Sequence, residues 1–480
     1  MLFSSPFFLF LYLPLTLLLI AVFSKKYHNH ILLLLSLAFY VWGGLYQTSL
    51  FISSIIINYL LGRLIGESKR INPKLSLAIA VTLNLLALCY FKYFNFFIEN
   101  VNHLIPSGIQ AIQVKKVLLP LGISFFTFHS ISYLVDVYLK KVKPQKNIID
   151  LSLYISFFPQ LIAGPIVRYI DVSEQLQNRI LTIPNVAIGM QRFIFGLAKK
   201  VIVANTLALL ADKIINAPID TISSVASWLG IAAYTMQIYF DFSGYSDMAI
   251  GLALICGFKF PENFNYPYAS RSIKEFWRRW HISLSTWFRD FLYIPLGGNR
   301  LGNARTNINL FIVFFFTGLW HGASWCFIFW GLFHGIFLFL ERTKFRNLLS
   351  RVPNFLQVFY TILIVMIGWV FFRIENIKSA IDYLSRMFYL TQQETNLAIS
   401  LEGILNKKTI VVLVFAILYS LRFFRYLQDF TQRKFNQLKK ENTFKISFQI
   451  TKLIVSITLF FVTILYMTSS TYSPFIYFRF

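Results

Sequence analysis

Apolar residues run along this chain in long blocks separated by short polar and basic stretches. A membrane-crossing helix needs about 20 such residues. Blocks of that kind fall near 6–23, 31–46, 49–65, 75–95, 117–139, 186–212, 227–257, 309–340, 355–373, 409–424 and 450–470. The pattern predicts an all-α polytopic membrane protein with about ten or eleven transmembrane helices, some of which dip in and return. The run from Ile31 to Leu61 is too long for one crossing at ~1.5 Å per residue, and Gly43-Gly44 offers a break.

Basic clusters support this topology. With Lys25 and Lys26 inside the cell, two crossings bring the Arg63–Lys74 loop inside, and two more bring Lys140, Lys141 and Lys143 there. Met1–Phe23 has no positive residue ahead of its apolar run and no small-residue cleavage signature, so it reads as a retained first span. The pattern changes between Lys259 and Arg305. That stretch holds Arg271, Lys274, Arg278, Arg279, Arg289 and Arg300 among Phe276, Trp277, Trp280, Trp287, Phe288, Phe291 and Tyr293. Rings and arginines mixed in this way suit a membrane interface. No linker, fixed-period repeat or soluble module interrupts the chain, which predicts a single membrane domain over 1–480.

Composition removes the soluble alternative. Hydrophobic residues make up 56% and charged residues 14%, against roughly a quarter charged in ordinary soluble domains, and mean hydropathy is +0.61. A net charge of +25 raises nucleic acid as a partner, but the basic groups sit in short clusters between apolar runs and form no continuous stripe. They suit cytoplasmic loops, anionic lipid or a phosphate-bearing substrate. Cys89, Cys256 and Cys326 lie far apart in apolar surroundings and form neither a disulfide framework nor a zinc pattern.

Polar groups inside apolar runs are the candidates for chemistry, because burial in a bilayer is costly. His321 lies in Thr317-Gly318-Leu319-Trp320-His321-Gly322-Ala323-Ser324-Trp325. An imidazole there can take and return a proton near neutral pH, or it can simply bond a neighbouring helix. His281, in Trp280-His281-Ile282-Ser283, reads as interfacial. His334 lies thirteen residues beyond His321, about 140° around an uninterrupted helix, with no carboxylate near either to complete a metal site. No metal is expected, and His334 reads as packing. Asp241 and Asp247 offer a proton path or a structural pairing with arginines of the basic segment; the structural reading is preferred. The chain carries no Walker A sequence, Gly-x-Ser-x-Gly elbow or His-Glu-x-x-His motif.

The string Trp277-Arg278-Arg279-Trp280-His281-Ile282-Ser283-Leu284-Ser285, followed by Arg289-Asp290 and Tyr293-Ile294-Pro295-Leu296-Gly297-Gly298, resembles the membrane-bound O-acyltransferase family. Within that family it is similar to the branch containing the alginate O-acetyltransferase membrane subunit. Further matching strings are Phe158-Pro159-Gln160 through Gly164-Pro165, Tyr239 to Asp247 with Pro261-Glu262-Asn263-Phe264, and Gly318-Leu319-Trp320-His321-Gly322. Trp369-Val370-Phe371-Phe372-Arg373 and Pro474-Phe475-Ile476-Tyr477-Phe478 complete the set. One departure is Phe291, where the branch often has tyrosine.

The resemblance implies a ring of helices, with re-entrant and interfacial ones, around a central channel where two substrates meet. It implies that His321 is catalytic and that His281 is the second histidine of the bacterial branch. Arg278, Arg279 and Arg289 are then expected to hold the phosphates of a donor such as acetyl-coenzyme A or another acyl thioester, with no permanently bound cofactor. The expected function is transfer of an acyl group, foremost acetyl, from the cytoplasm towards an extracytoplasmic polysaccharide such as alginate or a cell-wall glycan. Secreted or periplasmic acetyltransferase partners and an inner (plasma) membrane location are implied with it. D-alanyl transfer to teichoic acid, and non-enzymatic transport of a polysaccharide or lipid, are the alternatives; no internal symmetry of the transporter kind is visible.

Overall fold

The computed structural model describes residues 1–106, 109–389, 405–437, 441–469, 472 and 474, and among them there is no β-strand. Of the string Pro474–Phe478, residues Phe475 to Phe478 lie outside the described residues. The helices used below are α1 (Leu13–Val22), α2 (His28–Val41), α3 (Leu45–Glu67), α4 (Pro73–Leu104), α5 (Ile123–Tyr138), α6 (Ile148–Ser156), α7 (Ile183–Ala198), α8 (Asn205–Ile215) and α9 (Ser224–Ile255). They continue with α10 (Ile273–Arg279), α11 (Ile282–Phe288), α12 (Gly302–His321), α13 (Trp325–Leu340), α14 (Phe345–Arg351), α15 (Asn354–Arg373), α16 (Ile377–Phe388), α17 (Lys407–Ser420), α18 (Phe423–Gln437) and α19 (Glu441–Ser469).

Among the described residues five helices are long and apolar enough to cross a membrane by themselves: Leu45–Glu67, Pro73–Leu104, Ile183–Ile215, Asn354–Arg373 and Ile446–Ser469. The number rises to seven if each of two bent pairs, α13 with α14 (78°) and α17 with α18 (61°), is one broken span. The protein is thus helical and multi-pass. Other apolar blocks of the sequence form helices that are shorter or more polar, including α1, α2, α5 and α12.

Local sequence sets several helix ends. The break at Gly43-Gly44 is present: α2 ends at Val41, and α3 starts at Leu45 after Gly44 at φ 125°, a backbone angle that favours glycine. Asn72 caps α4 by accepting the Lys74 N–H at 2.9 Å, with Pro73 at the first helical position.

The described chain falls into two compact units, Met1–Met190 with Ala249–Pro261 and Gln191–Met248 with Glu262–Phe480. In the first, α5 is buried at every position from Ile123 to Val137 except Val135, and α3, α4 and α6 pack around it. The second holds every candidate catalytic and donor-binding residue. There the basic aromatic segment forms the short helices α10 and α11 and a π-helical turn, Arg289–Tyr293, so it does not cross the membrane as one helix. α12 and α13 form a hairpin in the same unit.

Candidate active site

The hairpin of α12 and α13 positions His321. A Cβ added to Gly318 would lie 2.3 Å from the Phe327 carbonyl oxygen, and one on Gly331 would lie 2.2 Å from that of Phe314. Only glycine at both positions lets the two backbones approach so closely. Ser324 then starts α13, its Oγ accepting the Phe327 N–H at 3.4 Å. His321 is the last residue of α12, and the residue is 2% exposed. It packs edge-on to the rings of Trp320 (4.9 Å), Trp330 (5.1 Å) and Phe372 (5.1 Å).

The uninterrupted helix expected through 309–340 is not formed, because residues 322–324 break it. His334 therefore does not point away from His321 by helical rotation. Both rings meet the same indole, His334 lying 5.3 Å from Trp330. Its other neighbours are Trp277 at 5.2 Å and Phe276 at 6.4 Å, and a Cβ on Gly368 would come within 2.9 Å of its Nε2. These surroundings are aromatic packing. Among the described residues no three His, Cys, Asp or Glu side chains gather as metal ligands.

His281 sits at the junction of α10 and α11. Ser272 caps α10 through the Glu275 N–H at 3.1 Å, Glu275 pairs with Arg279 at 2.6 Å, and the chain then turns. His281 makes that turn in the left-handed region, φ 44° and ψ 55°, which is uncommon for a residue with a Cβ. Bonds from residues 263–265 hold it there: Ile282 N–H donates to the Asn263 carbonyl at 3.0 Å, and Asn265 N–H donates to that of Arg279 at 2.9 Å. The Asn263 side chain adds more. Its Oδ1 lies 3.1 Å from His281 Nδ1, 3.3 Å from Ser283 N and 2.9 Å from Ser283 Oγ, while its Nδ2 donates to Ser246 Oγ at 3.0 Å. The imidazole is wholly buried against Phe242 (4.6 Å) and Trp320 (6.1 Å). Burial pushes its pKa down to about 3, so it is neutral at pH 7. One indole, that of Trp320, thus contacts both His281 and His321.

The three predicted donor-binding arginines are not alike. Arg278 and Arg289 are exposed, but Arg289 pairs with Asp290 at 2.7 Å, and Arg279 is taken by Glu275. Arg278 belongs to a group that sequence reading missed. Burial and then the nearby charges of Arg278, Arg346 and Arg342 lower the pKa of Lys274. Glu341 anchors this group by accepting the N–H of Ile273 at 2.6 Å and of Lys274 at 3.0 Å. Arg342 and Arg346 lie more than sixty residues from Arg278 in the chain, and only folding shows their proximity.

Asp241 and Asp247 are both ion-paired, with partners other than those expected. Asp247 pairs with Arg192 at 2.9 Å and Lys199 at 2.7 Å, and Asp241 with Lys200 at 2.6 Å. These cations come from α7 and the π-helical turn Lys199–Ala204 that follows it, not from the basic segment. The same unit has a cavity of about 460 Å³ lined by Arg373, Ile374, Glu375, Asn376, Ser379 and Tyr383, among others, with no histidine in its lining. Phe372, which packs on His321, is the chain neighbour of Arg373, whose guanidinium is held by Asp212 at 2.7 Å and Asn216 at 3.2 Å. Cys326 and Cys256 are buried and Cys89 is exposed, all as free thiols.

Comparison with known proteins shows the family. Residues 74–374 match the sequence profile of the MBOAT, membrane-bound O-acyltransferase, family. A probable alginate O-acetylase of Pseudomonas aeruginosa is 47% identical over 81% of this chain and 75% of its own length. A probable alginate O-acetylase of Pseudomonas putida is 40% identical over the full length of both chains. A peptidoglycan O-acetyltransferase of Helicobacter pylori is 36% identical over 81% of this chain and 80% of its own length. On these matches this multi-pass helical chain is an O-acyltransferase, and it belongs to the membrane-bound O-acyltransferase family.

Proposed function

We propose that this enzyme carries an acetyl group from a cytoplasmic acyl thioester to a hydroxyl of an extracytoplasmic polysaccharide, with His321 as the general base. The observation that carries the reading is the packing of His321 and His281 on the single indole of Trp320, in a buried cluster. One ring nitrogen of His321 takes the proton of the acceptor hydroxyl while that oxygen attacks the thioester carbonyl. The C–S bond breaks, the acyl group stays on oxygen, and the leaving thiolate takes the proton back from the imidazolium. No acyl-enzyme is needed. His281 orients the donor.

Acetyl-coenzyme A fits the donor side. Arg278 with Lys274, Arg342 and Arg346 forms an exposed cationic group suited to phosphates, with Arg279 and Arg289 flanking it along the chain. The names of the relatives, alginate O-acetylase and peptidoglycan O-acetyltransferase, support a glycan acceptor, reached through secreted or periplasmic partner proteins. The location that follows is the inner (plasma) membrane. The test is to incubate the purified protein with radiolabelled acetyl-coenzyme A or a D-alanyl thioester, together with a candidate glycan. Acceptor-dependent release of coenzyme A with label on the glycan supports the proposal. Preference for the D-alanyl donor, or no consumption of either, overturns it.

A further inference from the structure

The Asn263 side-chain amide is held at both ends, its Oδ1 by His281 and Ser283 and its Nδ2 by Ser246, and these bonds set where the proton of His281 sits. Asparagine oxygen and nitrogen are distinguished by their partners. The backbone N–H of Ser283 can only donate, and it faces one end of the amide at 3.3 Å. That end is the oxygen, and the other end is the NH₂ that donates to Ser246. His281 Nδ1 lies 3.1 Å from the same oxygen. Two acceptors would repel there, so Nδ1 carries the hydrogen and donates. A neutral imidazole has one N–H, which leaves Nε2 a bare lone pair. Nε2 is buried and has no hydrogen-bond partner among the described residues. A buried acceptor left unmatched is costly, and so is the left-handed backbone of His281.

We infer that Asn263 is a positioning residue that locks His281 as the Nδ1–H tautomer and aims its Nε2 lone pair at an N–H or O–H of the bound substrates. The inference rests on the acyl-transfer reading above and narrows the part of His281 in it. A neutral ring of this tautomer accepts a hydrogen bond at Nε2 and has no proton there to give a leaving thiolate. Its partner is therefore an amide N–H of the donor's pantetheine arm or a hydroxyl of the acceptor other than the attacking one, whose single proton goes to His321. Asn263 supplies this by spending its one oxygen on three donors, and the Ser246 bond keeps the amide from turning over.

Two measurements test it. The first is the ¹⁵N spectrum of histidine-labelled enzyme in membranes, with the His281 signals identified by their loss in His281→Gln. A protonated Nδ1 and bare Nε2 are expected, and a protonated Nε2 would overturn the proposal. This needs no turnover, so it decides the lock even if the enzyme consumed no thioester, an outcome that would count only against the proposed function. The second is the pH dependence of kcat in Asn263→Asp and Asn263→Ala. A carboxylate keeps the acceptor but stabilises the imidazolium, which raises the His281 pKa. Because the neutral ring is the working form, the acid limb of Asn263→Asp should move to higher pH, with kcat on the plateau kept within about threefold. Asn263→Ala should lose roughly 10–100-fold, as when the partner that orients a histidine is removed. A rise in donor KM alone identifies the pantetheine amide as the group met by Nε2, and a fall in kcat alone a non-attacking hydroxyl of the acceptor. An unshifted acid limb in Asn263→Asp, or normal kcat and KM in a folded Asn263→Ala, refutes the role.

Discussion

His321 meets the indole of Trp330 edge-on, with ring centroids 5.1 Å apart and planes at 90°. Trp330 stands on α13 and His321 ends α12, so the contact exists only because the hairpin closes tightly at Gly318 and Gly331. Gly331→Ala pushes a methyl group against the Phe314 carbonyl, which is backbone and cannot swing aside. Overpacking of this kind costs about 1–3 kcal/mol. The variant should lose detergent or thermal stability and activity together. A fully stable and active Gly331→Ala enzyme would contradict the described closure.

The cationic group should act on the donor alone. Replacing Arg342 and Arg346 with glutamine removes two charges near Arg278 and Lys274, and the KM for acetyl-coenzyme A should rise about tenfold or more at low salt. Dephospho-coenzyme A thioesters, which carry fewer charges, should be affected less. Glutamine variants with unchanged donor KM would place donor phosphate binding elsewhere.

Sidedness gives an independent check. Asn299 and Asn303 are exposed and lie near the end of the basic segment. Single cysteines at these positions, in a background lacking Cys89, Cys256 and Cys326, should be labelled by an impermeant reagent only after the cytoplasmic face is opened. Labelling in intact cells would remove the donor site from the cytoplasm.

Direct attack requires no thiol. Cys326 is buried on α13 near the hairpin turn, and Cys326→Ala should keep at least about half of the turnover. Loss of transfer in a folded Cys326→Ala protein would point to a cysteine acyl-enzyme instead.

Much of this was legible in the sequence, for identifiable reasons. Apolar block length showed a helical multi-pass chain, and Gly43-Gly44 marked a real break, because both signals are local. His321 stands out as a polar group in a costly place, whereas His281, which reads as interfacial from its basic aromatic surroundings, is wholly buried, because the turn between α10 and α11 tucks its ring against Phe242. What one-dimensional spacing hid was pairing. The interruption at Gly322–Ser324 folds His334 back onto the same indole as His321, where the rotation of a straight helix had sent it away. Asn263 appeared only as part of a matching string, since three donors converge on its oxygen from a segment twenty residues later. Arg342 and Arg346 joined Arg278 through folding, and the partners of Asp241 and Asp247 proved to be Lys200, Lys199 and Arg192.

The central claim is that His321 is the base. The decisive measurement is turnover of purified His321→Ala and His334→Ala with acetyl-coenzyme A and the natural acceptor, each checked for folding. General base catalysis contributes about 10²–10⁴-fold, so His321→Ala should fall at least ~100-fold. His334, enclosed by Trp277, Trp330 and Phe276, should cost far less in turnover per folded molecule. Near-normal turnover by a folded His321→Ala enzyme would contradict the account.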